Sequence, residues 1–597
     1  MPPCDCPSLL RHGRHVAPRP VAVVEALCPG PVALRGATYN QLVVQTPFRR
    51  FRALSLLFVG AICLCAAIRA QEPAEARTSQ PAEVHGRLLL VLPFENRSGN
   101  ASLDWMGEAF PDVLNRRLNS AGFLTISRGD RLYAFDHLGL PLKLEPTRAT
   151  AIRIAQTLDA DYVIFGHYTT SGNLAGNQTA NQLTADAEVL DVSALRVGAP
   201  IDQQGDSNGL LRMIDSVAWQ VTRQLDPSYA VEEQTFVAAD KNLHPDAFED
   251  YIRGLVAESA QQSIQQLRDA VKLDPDFAAA WLALGRAYFT NQDYEQAAVT
   301  LGHLRKDDPN ALEADFYRGL ACFFTGNYRE AEDAFAFVSM RLPLPEVVNN
   351  QGVAASRRNK DAGALFQQAV TADPRDPDYH FNLAVALAHR NDTEGALQEL
   401  NEALTLRPQD TEAQAFADQL KNLGSAKPNP DPGHAVADTQ GPLERIKRGY
   451  SEAGFRQAAF EMEQVQQLRL ATMPPAQRAA ELVKNADQFF QRGLVLEAER
   501  EYREALGADP SSALAHAGLA AVRERDGDAD AARQEAHASI QLTPNVPAYL
   551  VLARLDLVAN QLSAAAGDVG DALRVDPANA NAKGMKLALE RRGQATP

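Results

Sequence analysis

The chain has 597 residues, too many for one hydrophobic core, so several domains are expected. Hydrophobic residues make up 45% and charged residues 22% of it, which is typical of soluble globular proteins. The net charge is −17, and residues 1–70 hold eight Lys and Arg against two Asp and Glu, so residues 71–597 carry −23. Such acidity argues against binding to a nucleic-acid backbone, which requires basic surface, and is expected to favour solubility.

Cysteine is almost confined to the start of the chain. Five of the six cysteines precede residue 70, and Cys322 is the only one after it. One cysteine can form neither an internal disulfide nor a cysteine zinc site, so the body of the chain is predicted to have neither. This usage is compatible with an exported bacterial protein.

Residues 49–70 have the features of a secretory signal peptide. Three arginines between residues 49 and 52 precede an apolar run from Ala53 to Ile68, and Ala70 precedes a polar break. We expect cleavage after Ala70, with residues 71–83 as a linker; the alternative is a retained signal anchor. Because signal peptides begin near their basic residues, residues 1–48 are interpreted as a disordered leader or a wrongly assigned start, with initiation near Val43 or Val44. The predicted location is the periplasm or the cell envelope.

The next part of the chain, residues 84–230, mixes strand and helix patterns without a repeat. Their order predicts a compact α/β domain. The predicted elements are a buried strand at Arg87–Phe94, a helix at Leu103–Ser120, a strand at Phe123–Ser127, a helix at Thr147–Leu158, hairpin strands at Asp161–Thr170 and Leu183–Val192, and a closing helix at Leu210–Leu225.

Four stretches of this domain carry a family resemblance. They are VLPFENRS from Val91, WMGEAF from Trp105, LTISR from Leu124 and DYVIFGHY from Asp161. These stretches resemble the TolB amino-terminal domain, which is related to the CsgG and FlgO families of bacterial envelope proteins. After the hairpin, DVSALRVG from Asp191 stands where the family has a tryptophan-containing turn. The resemblance implies a docking module for an envelope component, with no catalytic residues.

The remainder of the chain is periodic. Between its prolines, small residues such as Gly285 and Ala297 would let paired helices approach, and large ones such as Trp281 and Tyr288 would fill the space between neighbours. Each proline would end a second helix. The prolines recur at 275, 309, 343, 374 and 408, with spacings of 34, 34, 31 and 34, and at 510, 544 and 577, with spacings of 34 and 33. This pattern resembles the tetratricopeptide family and predicts an all-α solenoid in two blocks, residues 245–415 and 443–593.

Residues 424–442 separate the two blocks. They contain four prolines and three glycines, which predicts a flexible linker. We expect each block to stack only on itself, so that proteolysis cuts first between Gly424 and Pro442, after Lys427 with trypsin. The alternative is that the second block folds back on the first.

In such solenoids the first helix of each pair lines the concave face. The resemblance implies that Arg286 and Asn382 grip a peptide carboxylate; the alternatives are a solvated face for these residues and packing between repeats for the phenylalanines. The residues predicted to contact partners are Arg286, Phe289, Phe316, Phe323, Phe324, Phe381, Asn382 and His389.

The sequence contains no phosphate-binding loop, dinucleotide fingerprint, zinc-protease motif or nucleophile elbow. We therefore predict no catalytic activity, no cofactor and no metal. The predicted function is an exported scaffold of the bacterial cell envelope that binds proteins or peptides through its repeats and an envelope component through its α/β domain. It would meet the membrane only through its signal or anchor segment, and nucleic acid is not an expected partner. The alternative is a regulatory or signal-transduction protein that is cytoplasmic or anchored to the inner membrane.

Overall fold

The computed structural model describes residues 88–141, 146–171, 182–206, 209–238, 243–425 and 442–596. The predicted leader, signal peptide and first linker lie outside these residues, as do residues 426–441 of the second linker. The predicted fold class is confirmed, because a small mixed sheet with helices precedes a long series of helical pairs.

One mixed sheet forms the centre of the α/β domain. Its described strands are β1 (Leu88–Val91), β2 (Glu95–Asn96), β3 (Leu124–Thr125), β4 (Tyr162–Ser171), β5 (Gln182–Asp191), β6 (Arg196–Val197) and β7 (Ile201–Asp206). The strand order is β3-β1-β4-β5-β6, with β2 beside β4 and β7 beside β5. β1 is parallel to β3 and β4, whereas β4 and β5 form the predicted antiparallel hairpin, with Tyr162 opposite Asp191.

Helices cover both faces of this sheet. They are α1 (Met106–Ser120), α2 (Arg128–His137), α3 (Arg148–Thr157), α4 (Leu210–Leu225) and the short α5 (Glu233–Ala238). Successive side chains of a strand point to opposite faces. Leu89 and Val91 accordingly join the core formed with α1 and α4, and Leu90 joins the core formed with α2 and α3. A buried ion pair of 2.7 Å between Arg117 Nε and Asp215 Oδ1 connects α1 to α4.

The first repeat block follows this domain directly. Its helices are α6 (Pro245–Val256), α7 (Ala260–Leu273), α8 (Ala278–Thr290), α9 (Tyr294–Leu301), α10 (Ala311–Phe324), α11 (Tyr328–Ser339), α12 (Pro345–Ser356), α13 (Gly363–Ala372), α14 (Pro377–His389), α15 (Thr393–Leu406) and α16 (Thr411–Ser425). The predicted close approach at Gly285 is present, since a Cβ there would fall 2.4 Å from the Leu301 side chain. A larger residue at position 285 would displace the Leu301 side chain, which explains glycine where α8 crosses α9.

The second block begins with one long helix and continues as pairs. Its helices are α17 (Glu452–Ala471), α18 (Pro475–Arg492), α19 (Val495–Ala508), α20 (Ala513–Asp526), α21 (Ala529–Leu542), α22 (Val546–Val558), α23 (Leu562–Val575) and α24 (Ala580–Arg591). Among the described helices of the whole chain, none combines the length and apolar character needed to cross a bilayer.

The expectation that each block stacks only on itself is wrong. In the second block, α19 and α20 pack against α5 of the α/β domain. Arg523 of α20 is 3% exposed and contacts Glu232, which precedes α5, and Thr235, which lies within α5. Residues 442–450, which precede α17, lie on the first block and bond to Asn350 and Asn382. Both attachments join residues far apart in sequence, so a repeat period does not reveal them.

Candidate functional site

A line of buried amide side chains runs across the first block. Asn349 and Asn350 lie on α12 and Asn382 lies on α14, and all three are fully buried. A hydrogen bond between two of these side chains links the helices, because Asn382 Nδ2 donates to Asn349 Oδ1 at 2.7 Å. Burying amides is costly unless they are hydrogen-bonded, so their remaining partners identify what this surface binds.

Those partners are main-chain groups of residues 442–450, which we call the docked segment (PLERIKRGY). Asn382 accepts the Arg445 N–H at 2.7 Å and donates to the Arg445 carbonyl at 2.8 Å. Asn350 likewise accepts the Lys447 N–H at 2.8 Å and donates to the Lys447 carbonyl at 2.7 Å. Asn349 also donates to the Arg445 carbonyl, at 3.0 Å. An asparagine amide offers one acceptor and two donors, so it can pair with both polar groups of a peptide residue.

The Arg445 side chain enters an acidic pocket. Its Nη1 and Nη2 donate to the two carboxylate oxygens of Asp410 at 2.6 and 2.8 Å, and Nη2 also donates to Glu412 at 2.8 Å. The guanidinium lies 3.7 Å from the centre of the Phe381 ring. Burial lowers the pKa of Arg445, but the hydrogen bonds to Asp410 and Glu412 outweigh it, and the net shift is upward. The pocket therefore binds arginine as a stacked, bidentate cation.

Lys447 lies in the adjoining part of the same pocket. Its ammonium donates to Asp378 at 2.7 Å and to Asp376 at 2.9 Å, and it lies 5.1 Å from the Tyr379 ring centre. Burial raises the pKa of Asp378, but hydrogen bonds from Arg407 and Lys447 outweigh burial and hold that pKa at about 2. Asp378 is therefore ionised at neutral pH.

The rest of the docked segment meets complementary groups. The Glu444 carboxylate accepts from Arg357 and from the Ser356 hydroxyl and is 6% exposed as a residue. Ile446 packs against the hydrophobic clusters of α10 to α14. Tyr450 meets Phe316 edge to face, with ring centres 4.9 Å apart. The order of charges along the segment therefore matches the order of opposite charges on the block.

Four of the eight residues predicted to contact partners touch this segment. Asn382 bonds to it, Phe381 stacks under Arg445, Phe316 meets Tyr450, and Phe324 lies 5.0 Å from the Arg448 guanidinium. Asn382 holds a main-chain amide and not the carboxylate that the resemblance implied. Phe316 and Phe381 are also buried, at 1% and 0% exposure, so they pack between helices as well.

The other four predicted contact residues lie elsewhere. Arg286 pairs with Glu313 at 2.6 Å. Phe289 packs among aromatic rings, Phe323 packs against the clusters that Ile446 joins, and His389 is exposed in the last turn of α14. A partner role for these eight residues stays a prediction.

Sequence reasoning missed most of the polar groups that hold the docked segment. The missed residues are Asn349, Asn350, Arg357, Asp376, Asp378, Asp410 and Glu412. One signal was available: the adjacent asparagines interrupt the apolar stretch VVNNQGV of α12, where a pair of amides is unexpected without a ligand. The acidic residues gave no such signal, because they resemble ordinary residues of a helix start.

No group of three or more His, Cys, Asp or Glu suited to a metal ion occurs in the part of the chain that the structure describes. The acidic pocket is filled by Arg445 and Lys447. The arrangement is suited to holding a cationic peptide segment.

Comparisons with known proteins agree with the repeat assignment. Family models described as tetratricopeptide repeat match residues 257–321, 353–411 and 483–547. The chain therefore contains tetratricopeptide repeats in both blocks, as predicted. Among curated proteins, none matches this sequence.

Several solved structures are similar to parts of the chain. YrrB, described as a TPR protein with an unusual peptide-binding site, is 18% identical with a TM-score of 0.27, over 32% of this chain and 100% of that one. MamA 41-end from Desulfovibrio magneticus RS-1 is 19% identical with a TM-score of 0.25, over 30% and 100%. The LpoB C-terminal domain from Salmonella enterica is 25% identical with a TM-score of 0.17, over 20% and 84%.

Proposed function

We propose that the chain is a non-catalytic scaffold whose first repeat block binds extended peptide segments of partner proteins. The observation that carries this proposal is the pairing of Asn350 and Asn382 with both polar main-chain groups of Lys447 and Arg445. Main-chain pairing of this kind supplies affinity for any extended peptide, and side-chain pockets then add selectivity.

With the docked segment in place, the groove asparagines are shielded from water and need hydrogen-bond partners. Each is fully buried. A buried amide left without a partner costs about 1–3 kcal/mol. The groove is therefore suited to exchanging one peptide, or a row of ordered waters, for another.

Binding in trans competes with the docked segment, which is part of the same chain. A tethered segment has an effective concentration on the order of 1 mM, so a free peptide of equal intrinsic affinity at about 10 μM would occupy about 1% of the grooves. The test therefore uses an open variant, Arg445→Ala/Lys447→Ala, in which the docked segment has lost its charged anchors.

The probe is a labelled peptide, PLERIKRGYS, titrated with the full chain and followed by fluorescence anisotropy. The open variant should bind it at least about tenfold more tightly than the wild type. Adding Asn350→Ala and Asn382→Ala should abolish binding, whereas adding Asn401→Ala, at an exposed position of α15, should not. No binding to the open variant, or equal binding with and without the two groove asparagines, would refute the proposal.

We further propose that the scaffold is exported and acts at the bacterial cell envelope, where the α/β domain docks to an envelope component. This rests on the signal-like residues 49–70 and on the resemblance of residues 84–230 to TolB-type domains. Alkaline phosphatase fused to the C-terminus should be active only if the chain is exported. An inactive fusion would instead favour the alternative hypothesis of a cytoplasmic regulatory protein.

A further inference from the structure

The pocket around Arg445 and Lys447 has a strong fixed charge. Its carboxylates come from the starts of two helices: Asp376 caps α14, Asp378 lies in its first turn, and Asp410 and Glu412 hold the same places at α16. The positive end of a helix dipole stabilises negative charge at these positions. The pocket is therefore electronegative before any peptide arrives.

One fixed arginine offsets part of that charge. Arg407 contacts Asp378 at 2.8 Å and Asp410 at 3.5 Å. Among the described residues within ion-pair distance, four carboxylates against one arginine leave −3, and Arg445 and Lys447 reduce this to −1. A neutral or acidic peptide would leave the pocket uncompensated and partly desolvated, which is unfavourable.

The two cation positions are not equivalent. Arg445 spans both oxygens of Asp410 and places its guanidinium over the Phe381 ring, an arrangement that suits the planar, two-pronged group of arginine. Lys447 places a single ammonium between Asp376 and Asp378, which suits a point charge. Arg445 and Lys447 are two residues apart, which is the spacing at which Asn382 and Asn350 pair with the main chain.

A third charge sets the direction of the peptide. Glu444 meets Arg357, which follows α12, on the side of Arg445 away from Lys447. A segment with the charges of Glu444 and Arg445 exchanged would put an acidic side chain near Asp410 and a basic one near Arg357. The block thus reads the order acidic, arginine, apolar, lysine.

We propose that the partner segment for this groove is extended and basic, with an acidic residue, an arginine, an apolar residue and a lysine in that order. The docked segment is then a built-in competitor that such a partner displaces. This inference rests on the proposed function of the groove and adds the class of ligand and the means of regulation. Displacing the docked segment would also affect the start of α17. Ser451, the next residue along the chain, caps α17 and donates its N–H to Glu346 of α12 at 3.1 Å.

Three labelled peptides test the ligand class against the open variant. They are PLERIKRGYS, PLEEIERGYS, in which both groove cations become glutamate, and PLREIKRGYS, which exchanges the first two charges without changing composition. The first should bind best, the second at least about 100-fold and the third at least about tenfold more weakly. Glu412→Arg in the open variant should weaken the first peptide by about fivefold, since Glu412 is half exposed and caps no helix.

The outcomes separate this inference from the function beneath it. Equal binding of all three peptides would mean that the groove reads only the main chain; the proposed function would stand and this inference would fall. Binding of none would overturn both. Displacement is tested in the wild type by hydrogen exchange of the Arg445 and Lys447 amides. Saturating unlabelled PLERIKRGYS should deprotect them, and unchanged protection would show that the docked segment is not a competitor.

Discussion

Replacing Arg523 should loosen the second block from the α/β domain. The side chain lies between three elements: it contacts Glu499 of α19 at 2.7 Å, Glu232 before α5 at 3.0 Å, and Thr235 of α5. Glu499 is fully buried, and the side chain of Asp526, 3.5 Å from Arg523, is 3% exposed. Arg523→Met keeps much of the side-chain volume and leaves these carboxylates without their shared cation.

The expected cost follows from the burial of those carboxylates. Removing one partner of a buried ion pair costs about 3–5 kcal/mol. Arg503 remains 2.8 Å from Glu499, so the lower end of that range, about 3 kcal/mol, is expected. The loss should appear as a lower urea midpoint and as faster hydrogen exchange in α5 and α20.

Two further variants make this reasoning refutable. Arg525→Met, on the same helix, removes an exposed cation that lies 5.7 Å from the Phe490 ring, and should cost less than about 1 kcal/mol. The double variant Arg523→Met/Glu499→Gln should recover part of the lost stability, because it removes the buried charge that the single change orphans. If Arg523→Met costs no more than Arg525→Met, the ion network does not hold the second block. A double variant as unstable as the single one would assign the loss to packing.

Three other predictions concern single titratable groups. Burial and the nearby Asp556 raise the pKa of Asp568 to about 6, above its ordinary 3.8, so stability that depends on its neutral form is lost as pH rises through 6. Asp568→Asn should therefore raise the free energy of unfolding at about pH 7.5 by on the order of 1 kcal/mol, after allowance for solvent screening, and leave it unchanged at about pH 4. The thermal midpoint should accordingly rise only at the higher pH. Asp378 has the opposite sign: its pKa of about 2 gives stability that is present above 3.8 and lost as pH falls towards 2, so the deficit of Asp378→Asn in urea midpoint should shrink over that window. Cys322 is buried, and burial raises its thiol pKa. A chain cleaved after Ala70 should therefore show no reactive thiol when native and one in urea, whereas an uncleaved chain should show more than one reactive thiol in urea.

The parts of the fold that the sequence predicted are those with local contacts. Helix pairs repeat about every 34 residues, so proline, glycine and alanine positions reveal them without knowledge of distant contacts. The β4–β5 hairpin was predicted for the same reason. Helix α2 was missed, because its sequence is largely polar and one of its two arginines, Arg131, is buried where it pairs with Glu108 and the Val91 carbonyl. Strand β7 (IDQQGD) was missed because it has no apolar alternation and depends on β5 for pairing.

The groove shows the same limit more sharply. Asn382 was selected as a groove residue from its helix position, but its ligand lies 63 residues later in a segment with no helical or strand period. The Asn350 pairing spans 97 residues. A peptide held mainly by its backbone leaves little trace in its own sequence, since main-chain groups are the same in every residue. Its charged residues, taken alone, resemble a solvated surface.

Among the described residues, contacts in two regions attach the second block to the rest of the chain, and this bears on how a partner would act. One attachment is the docked segment, which precedes α17, and the other is the contact of α19 and α20 with α5. If a partner peptide displaces the segment, the contact at α5 still keeps the second block beside the α/β domain. The segment then stays at a high effective concentration near its groove and rebinds as soon as the partner leaves. If the docked segment were the sole attachment, its release would free the whole second block, and the effective concentration of the segment near its groove would fall. The paired attachments therefore favour a reversible exchange of peptides over a permanent opening of the molecule.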